Sequence, residues 1–316
     1  MPLNFDVVCV GNATVDSFLT LRQANDHLRL QKETNELCMK FGEKITVDKA
    51  EILIGGDAAN VSVGTARLGL KTAIIAEIGK DEFAEKIKNT LSKEDVDTSN
   101  ILETEGQQSS FSTIINYQGE RTIFSEHVKR NHSFSFDNIF TKWIYLTSLG
   151  EEWLTAYSKT LDFIKKTQAL LAFNPGTLQI KNCKNIENIL LATNLLFVNK
   201  EEAEELLGYS GGKKGAEDLV KDLQKLGPKI AVITDGKNGS FASGNDGNIL
   251  KKEIIPAEVV EKTGAGDAYS SGFLSAVINN KTIEEAMEWG TKNAAAVIGK
   301  VGAQTGLLSK TAFEQI

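Results

Sequence analysis

The sequence predicts an α/β fold: a doubly wound, mostly parallel sheet flanked by helices, with a small β-sheet lid beside it. Three observations carry this. From residue 143 onward, short apolar runs alternate regularly with stretches of helical period. The segment 17–54, straight after the first strand, reads as more strand rather than as a crossover helix. Glycine-led helices of small residues open at 55–69 and at 264–277. The 316 residues suffice for one such domain, and 1–316 is taken as a single unit.

In order, Asp6 to Gly11 is a short apolar run ending in glycine, as expected of a buried parallel strand. Ser17 to Leu21 looks extended, Arg22 to Glu36 is polar, and Leu37 to Phe41 and Lys44 to Ile54 look like further strands. Gly55 and Gly56 lead into a helix that Gly69 is placed to end. Lys71 to Ile78 is a strand, and Asp81 to Leu91 an amphipathic helix with Phe83, Ala84, Ile87 and Leu91 on one face. Ser110 to Ser125 reads as a hairpin with Gly119 in its turn. It could complete the small sheet begun at 17–54, leaving edges that a second subunit could cover in a homodimer.

The regular alternation then gives strands at 143–149, 169–173, 195–198 and 229–234, with helices at 151–167, 201–207 and 216–226. Phe241 to Ile254 is a late hairpin turning at Asn245-Asp246-Gly247. Ile254 to Val260 looks extended, and helices follow at 282–298 and after Lys310. There is no internal repeat and no low-complexity linker.

Composition narrows the function. Net charge is −7, and no basic cluster is interleaved with aromatics, which argues against nucleic acid as a partner. No segment approaches the apolar length of a membrane span, and Met1 to Asp6 lacks the basic start of a signal peptide. Cys9, Cys38 and Cys183 are scattered and odd in number, which argues for a reducing, cytoplasmic setting. An acidic chain that takes an anionic nucleotide needs local donors and a divalent cation.

Four stretches could carry chemistry. Gly264-Ala265-Gly266 should be a tight turn whose backbone N–H groups open a helix, with Asp267 in its first turn. The helix dipole is worth roughly 0.3–1 kcal/mol to a surface charge there, and more when partly buried. An oxyanion cradle beside a base suits moving a phosphoryl group onto a hydroxyl. A glycine turn with a capping Asp also stands without any ligand. Asp16, past the first strand, could hold substrate hydroxyls or simply cap a turn. Gly55, Gly56 and Asn60 could touch a ligand, or serve only a closely packed helix. Asn199 with Glu202 is a capping box, sufficient in itself, and also suits a water-mediated Mg²⁺ and phosphate site. The glycines of Thr234 to Gly239 could admit a nucleotide phosphate or form an ordinary loop.

On these residues the chain resembles the ribokinase-like (PfkB) carbohydrate kinase family over nearly its whole length. Gly264-Ala-Gly-Asp267 matches the family's C-terminal signature, Gly55-Gly56 to Gly69 its N-terminal one, and Asn199-x-x-Glu202 its N-x-x-E motif. The resemblance implies a large α/β domain with a lid, ATP and Mg²⁺ as cofactors, and a small sugar as acceptor. It implies Asp267 as catalytic base and Gly264, Ala265 and Gly266 as anion hole. Asp16, Gly55, Gly56 and Asn60 are implied as sugar contacts, and Asn199 and Glu202 as the Mg²⁺-phosphate site. Thr234, Gly236 and Gly239 are implied as the nucleotide loop, and Asn293 as an adenine-pocket residue. A monovalent cation such as K⁺ near Glu261 and Thr263 stays open, because the family usually has Asp where this chain has Glu261. Asp57 replaces the lysine of typical ribokinases, and Ser148-Leu149 lies near where they carry a sugar-binding glutamate.

The expectation is transfer of the ATP γ-phosphoryl to a sugar hydroxyl, with a nucleoside kinase of the same fold as the nearest rival. A dehydrogenase would show G-x-G-x-x-G after the first strand, and Gly11-Asn-Ala-Thr-Val-Asp16 lacks it. No Walker A motif is present. A non-catalytic sensor would have no need of Asp267.

Overall fold

The structure, a computed structural model, describes residues 3–21, 27–34, 36–126, 128–209, 214–244 and 247–315. The chain opens with β1 (Leu3–Val10) and turns at once into β2 (Thr14–Leu21), the short hairpin β3 (Leu28–Gln31) and β4 (Glu36–Met39), and β5 (Lys49–Gly55). Helix α1 (Asp57–Arg67), β6 (Thr72–Gly79), α2 (Glu82–Lys93), β7 (Val96–Asp97) and β8 (Ile101–Thr104) follow. The second hairpin is β9 (Phe111–Tyr117) and β10 (Glu120–Glu126).

From there strand and helix alternate. The run is β11 (Ile139–Leu146), α3 (Trp153–Thr167), β12 (Leu170–Phe173), α4 (Thr177–Lys181), α5 (Glu187–Ala192), β13 (Leu195–Asn199), α6 (Lys200–Leu206), α7 (Ala216–Gln224) and β14 (Ile230–Thr234). The chain closes with β15 (Ser240–Ser243), β16 (Ile249–Lys252), α8 (Ala265–Ile278), α9 (Ile283–Ile298) and α10 (Lys310–Phe313).

Ten strands form the main sheet in the order β16-β15-β14-β13-β12-β11-β1-β6-β7, with β8 also on β6. Every pairing from β14 through β6 to β7 and β8 is parallel, and β15 and β16 add an antiparallel edge. Successive side chains on a strand face opposite layers, and β1 shows it. Val7 and Cys9 join the layer under α1, α2, α8 and α9, while Val8 and Val10 join the layer under α3, α5, α6 and α7. The sheet is therefore covered on both faces, which is why its strands are apolar throughout. Among the described residues no helix is long and apolar enough to cross a membrane.

The smaller sheet has the order β10-β9-β2-β5, with β2 and β9 parallel and the outer pairs antiparallel. Its outer face packs Leu21, Ile115 and Tyr117 against Leu28 of the β3–β4 hairpin. The opposite face carries Asp16, Phe18 and Thr20 beside Ser112, Ile114 and Asn116, and then Ser125, Ile123 and Arg121.

Several local expectations needed correction. Residues 44–48 are not strand, and β5 begins at Lys49. Segment 254–260 joins no ladder; Val260 and Glu261 instead donate their N–H groups to Ile298 O. Asp81 is not in α2 but caps it, accepting from Ala84 N at 2.9 Å. The strand expected at 143–149 runs Ile139–Leu146, leaving Ser148 beyond the sheet. Strands β7 and β8 are too short to show a period. Asn245 and Asp246, read as a hairpin turn, lie outside the described residues.

Candidate active site

The polar residues picked from sequence converge where the parallel strands end at their carboxyl edge and α1 and α8 begin. Gly56 caps α1 at φ 94°, a backbone open to glycine, and a Cβ there would sit 2.6 Å from Asn12 O. Gly264 caps α8 at φ 78°, with Ala303 pressed against it. The two helices pack side by side because Gly64 leaves room for Ser271. Their amino ends therefore share one cleft, and both dipoles point their positive ends into it. At the α8 mouth, Ala265 N–H turns back to Lys262 O at 3.3 Å. The N–H groups of Gly266 and Asp267 have no partner within the helix.

Asp267 stands in the first turn of α8 and keeps part of its surface open to the cleft. Asn60 donates from Nδ2 to Asp267 Oδ2 at 2.8 Å. Loss of surrounding water holds the Asp267 carboxyl well above the usual carboxylate range, and the charge of Asp57 pushes the same way. The Asn60 N–H works against this, Glu202 adds to it, and Arg121 opposes it. Asp16 is buried in β2, accepts from Thr14 Oγ1 at 3.1 Å, and is pushed up to about 6, mainly by burial. Gly55 lies against it: a Cβ at that position would come within 1.9 Å of Asp16 Oδ2.

Asn199 and Glu202 form the reciprocal box. Glu202 N donates to Asn199 Oδ1 at 2.8 Å and Asn199 N to Glu202 Oε2 at 2.9 Å. Burial pushes the Glu202 carboxyl up to about 7, with Asp57 adding to the effect. Thr234 ends β14, level with Asn199 on β13. Gly236 and Gly239 both have positive φ, and the loop between them is closed by Asp235 N on Gly239 O at 2.8 Å. Glu261 is wholly buried; Thr263 N and Oγ1 both donate to its Oε1, at 2.6 and 2.5 Å. Its Oε2 has no partner among the described residues.

Two of the expected site residues have their amides already engaged. Asn60 is buried with both ends of its amide held, on Asp267 and on Gln304 Nε2 at 3.1 Å. Asn293 is wholly buried, donates to Ala268 O and Ser271 Oγ at 3.0 Å each, and accepts from Leu308 N at 2.9 Å. That amide ties α9 to α8 and to the C-terminal loop.

Sequence reasoning missed other participants. Asp57 accepts from Ser148 Oγ, to which Asn12 Nδ2 also donates at 3.5 Å. Asp57 is the carboxylate whose field reaches Asp16, Glu202 and Asp267 alike. On the lid, Glu120 pairs with Lys262 and Asn116 Nδ2 donates to Val260 O at 3.2 Å, which pins the β9–β10 hairpin beside the α8 mouth. Register then puts Arg121 on the same face as Asn116. Arg121 is exposed and has no ion pair among the described residues. An arginine two residues after the hairpin glycine was the available signal in the sequence.

The sequence pattern of the pfkB family carbohydrate kinase matches residues 9–310. A ribokinase from Haemophilus influenzae is 29% identical over 279 residues, spanning 85% of this chain and 88% of that protein. A 5-dehydro-2-deoxygluconokinase from Bacillus subtilis is 24% identical over 340 residues, spanning 99% and 95%. Among solved structures, the ribokinase of Arabidopsis thaliana complexed with ribose and ATP superposes with a TM-score of 0.78 at 19% identity, covering 99% of this chain and 98% of that one.

Proposed function

The chain belongs to the pfkB family of carbohydrate kinases, and from that premise we propose that it transfers the γ-phosphoryl of ATP to a hydroxyl of a small sugar, with Asp267 as the base. The observation that carries this is the placement of Asp267 in the mouth of α8, beside free backbone N–H groups and within the field of Asp57 and Glu202. A carboxylate kept from water is a stronger base than a solvated one, which suits proton removal from an alcohol. In a loose transition state the hydroxyl bonds late, so a carboxylate suffices. The N–H groups of Gly266 and Asp267 meet the equatorial oxygens of the moving phosphoryl, where charge collects.

The acceptor end is built for hydroxyl donors. Asp16 and Asp57 can only accept when ionised, and Ser148 is already oriented by Asp57. Ribose-, fructose- and ketodeoxysugar-like acceptors all supply such hydroxyls. Opposite them, Arg121 brings a positive charge down from the lid.

Mg²⁺, when bound with the nucleotide, screens the phosphates and orients the γ-phosphoryl. The donor set fits it: Glu202, held near neutrality by burial, ionises fully once a cation lies near. Glu261 and Thr263 fit a monovalent cation, since the partnerless Glu261 Oε2 is a buried acceptor in want of a charge.

A panel of sugars and nucleosides with ATP, read by ADP release, tests the reading. Asp267→Ala should lose on the order of 10²–10⁴-fold in turnover on the best acceptor with ATP affinity little changed. Near-normal turnover in that variant removes Asp267 from the mechanism, and no ADP release with any acceptor removes the kinase reading.

A further inference from the structure

The loop between α9 and α10 reaches back into the cleft. Gln304, buried there, donates from Nε2 to Asn60 Oδ1, and Asn60 Nδ2 donates to Asp267 Oδ2. The direction of this relay matters. A carboxamide is nearly symmetric in shape, and its two ends differ mainly in hydrogen-bonding sense. Turned over, Asn60 would present its oxygen to Asp267, a contact that only a protonated carboxyl satisfies. It would also present an N–H to the Gln304 N–H, donor against donor. In its observed sense the Gln304 donor therefore opposes the arrangement that favours a protonated carboxyl.

We propose that Gln304 is a positioning residue: by holding the sense of the Asn60 amide it favours the ionised form of Asp267, the form that accepts a proton, against the burial that opposes it. The base role comes from the reading of function above; the relay itself does not depend on it. The anchor of the loop is separate from the relay. Arg67 Nη1 donates to the main-chain oxygens of Gln304 and Leu307 at 2.9 and 2.8 Å, and the Arg67 guanidinium is held by both oxygens of Glu94. A side-chain change at 304 leaves those contacts in place. Other groups also act on Asp267: Asp57 on α1, Glu202 on α6, Tyr145 on β11 and Arg121 on β10. All four persist in the variants, so a difference from wild type reports the Asn60 contact.

The test is a titration of ¹³C-carboxyl-labelled aspartates in the full chain, with the Asp267 signal identified by its loss in Asp267→Asn. In Gln304→Ala the Asp267 midpoint should rise by about one pH unit, a tenfold loss of ionised base below it. Gln304→Met, similar in length but without a donor, should do the same and serves if the smaller side chain unsettles the loop. In steady state the acid limb of kcat/KM should move up equally, with the defect shrinking at high pH and KM for ATP unchanged. Wild-type midpoints in both variants, or a loss of rate that is uniform across pH, overturn the proposal. A shifted midpoint with an unshifted acid limb upholds the relay and overturns Asp267 as the base. The titration needs no acceptor, so it stands even where none is found.

Discussion

Replacing Asp16 by Asn should stabilise the ligand-free chain in a pH-dependent way. Burial raises the folded-state pKa of Asp16 from the ordinary 3.8 to about 6. At low pH the carboxyl is protonated in both folded and unfolded chains and costs nothing. As pH rises the unfolded chain ionises first, and stability is lost until pH passes the folded value near 6. The gap of about 2 pH units, at about 1.4 kcal/mol each, makes the full cost about 3 kcal/mol at pH 8 and about 1 kcal/mol at pH 4.5. Asn is nearly the same size, so it fits against Gly55 and still accepts from Thr14. A neutral acceptor returns roughly 0.5–1 kcal/mol less from that bond. The net gain at pH 8 is about 2 kcal/mol, near 3 °C in Tm for a chain of this size, and close to zero at pH 4.5. Thermal unfolding of both proteins without nucleotide or acceptor, at the two pH values, measures it. An equal change in Tm at both pH values, or a less stable variant at pH 8, refutes the reasoning. The same variant should bind acceptor poorly, so that stability and function move in opposite directions.

Two more outcomes follow from the site. Arg121→Ala should cut kcat on the order of tenfold to a hundredfold while leaving Tm unchanged, because the side chain is exposed and unpaired until substrate arrives; an unaltered kcat would show that Arg121 does not reach the reacting groups. Glu261→Gln should abolish any difference in rate between potassium and choline chloride, because an amide cannot offer a cation both oxygens of a carboxylate; a variant that keeps the wild-type potassium response would place the cation elsewhere.

The strands and helices were legible because their signals are local. Val7 to Val10 on β1 is apolar on both faces whatever surrounds it, and Asp267 follows two glycines wherever α8 points. The capping box of Asn199 and Glu202 was legible for the same reason, being closed within four residues. Less legible was local sequence with a non-local fate. Ile254 to Val260 has the composition of a strand but finds no partner, since β16 already ends the sheet. Asn293 sits where an adenine contact was expected, yet its amide turns to α8 and to Leu308 N.

The site depends on partners far apart in the chain. Asn60 and Asp267 are separated by 207 positions, and Asn60 and Gln304 by 244. Nothing in the identity of a glutamine in a C-terminal loop announces that it faces an amide on α1. The lid shows the same division: strands within 17–54 and a hairpin at 110–125 could be read from residue types, but the parallel pairing of β2 with β9 decides which face Arg121 occupies. The amino-acid order alone determined the doubly wound sheet, the lid strands and the glycine-lined helix mouths, because backbone geometry and apolar period act over a few residues. Tertiary structure alone decided which carboxylates lose their water, which amide meets Asp267 and which way it faces, because desolvation and hydrogen-bond direction depend on atoms that only folding brings together.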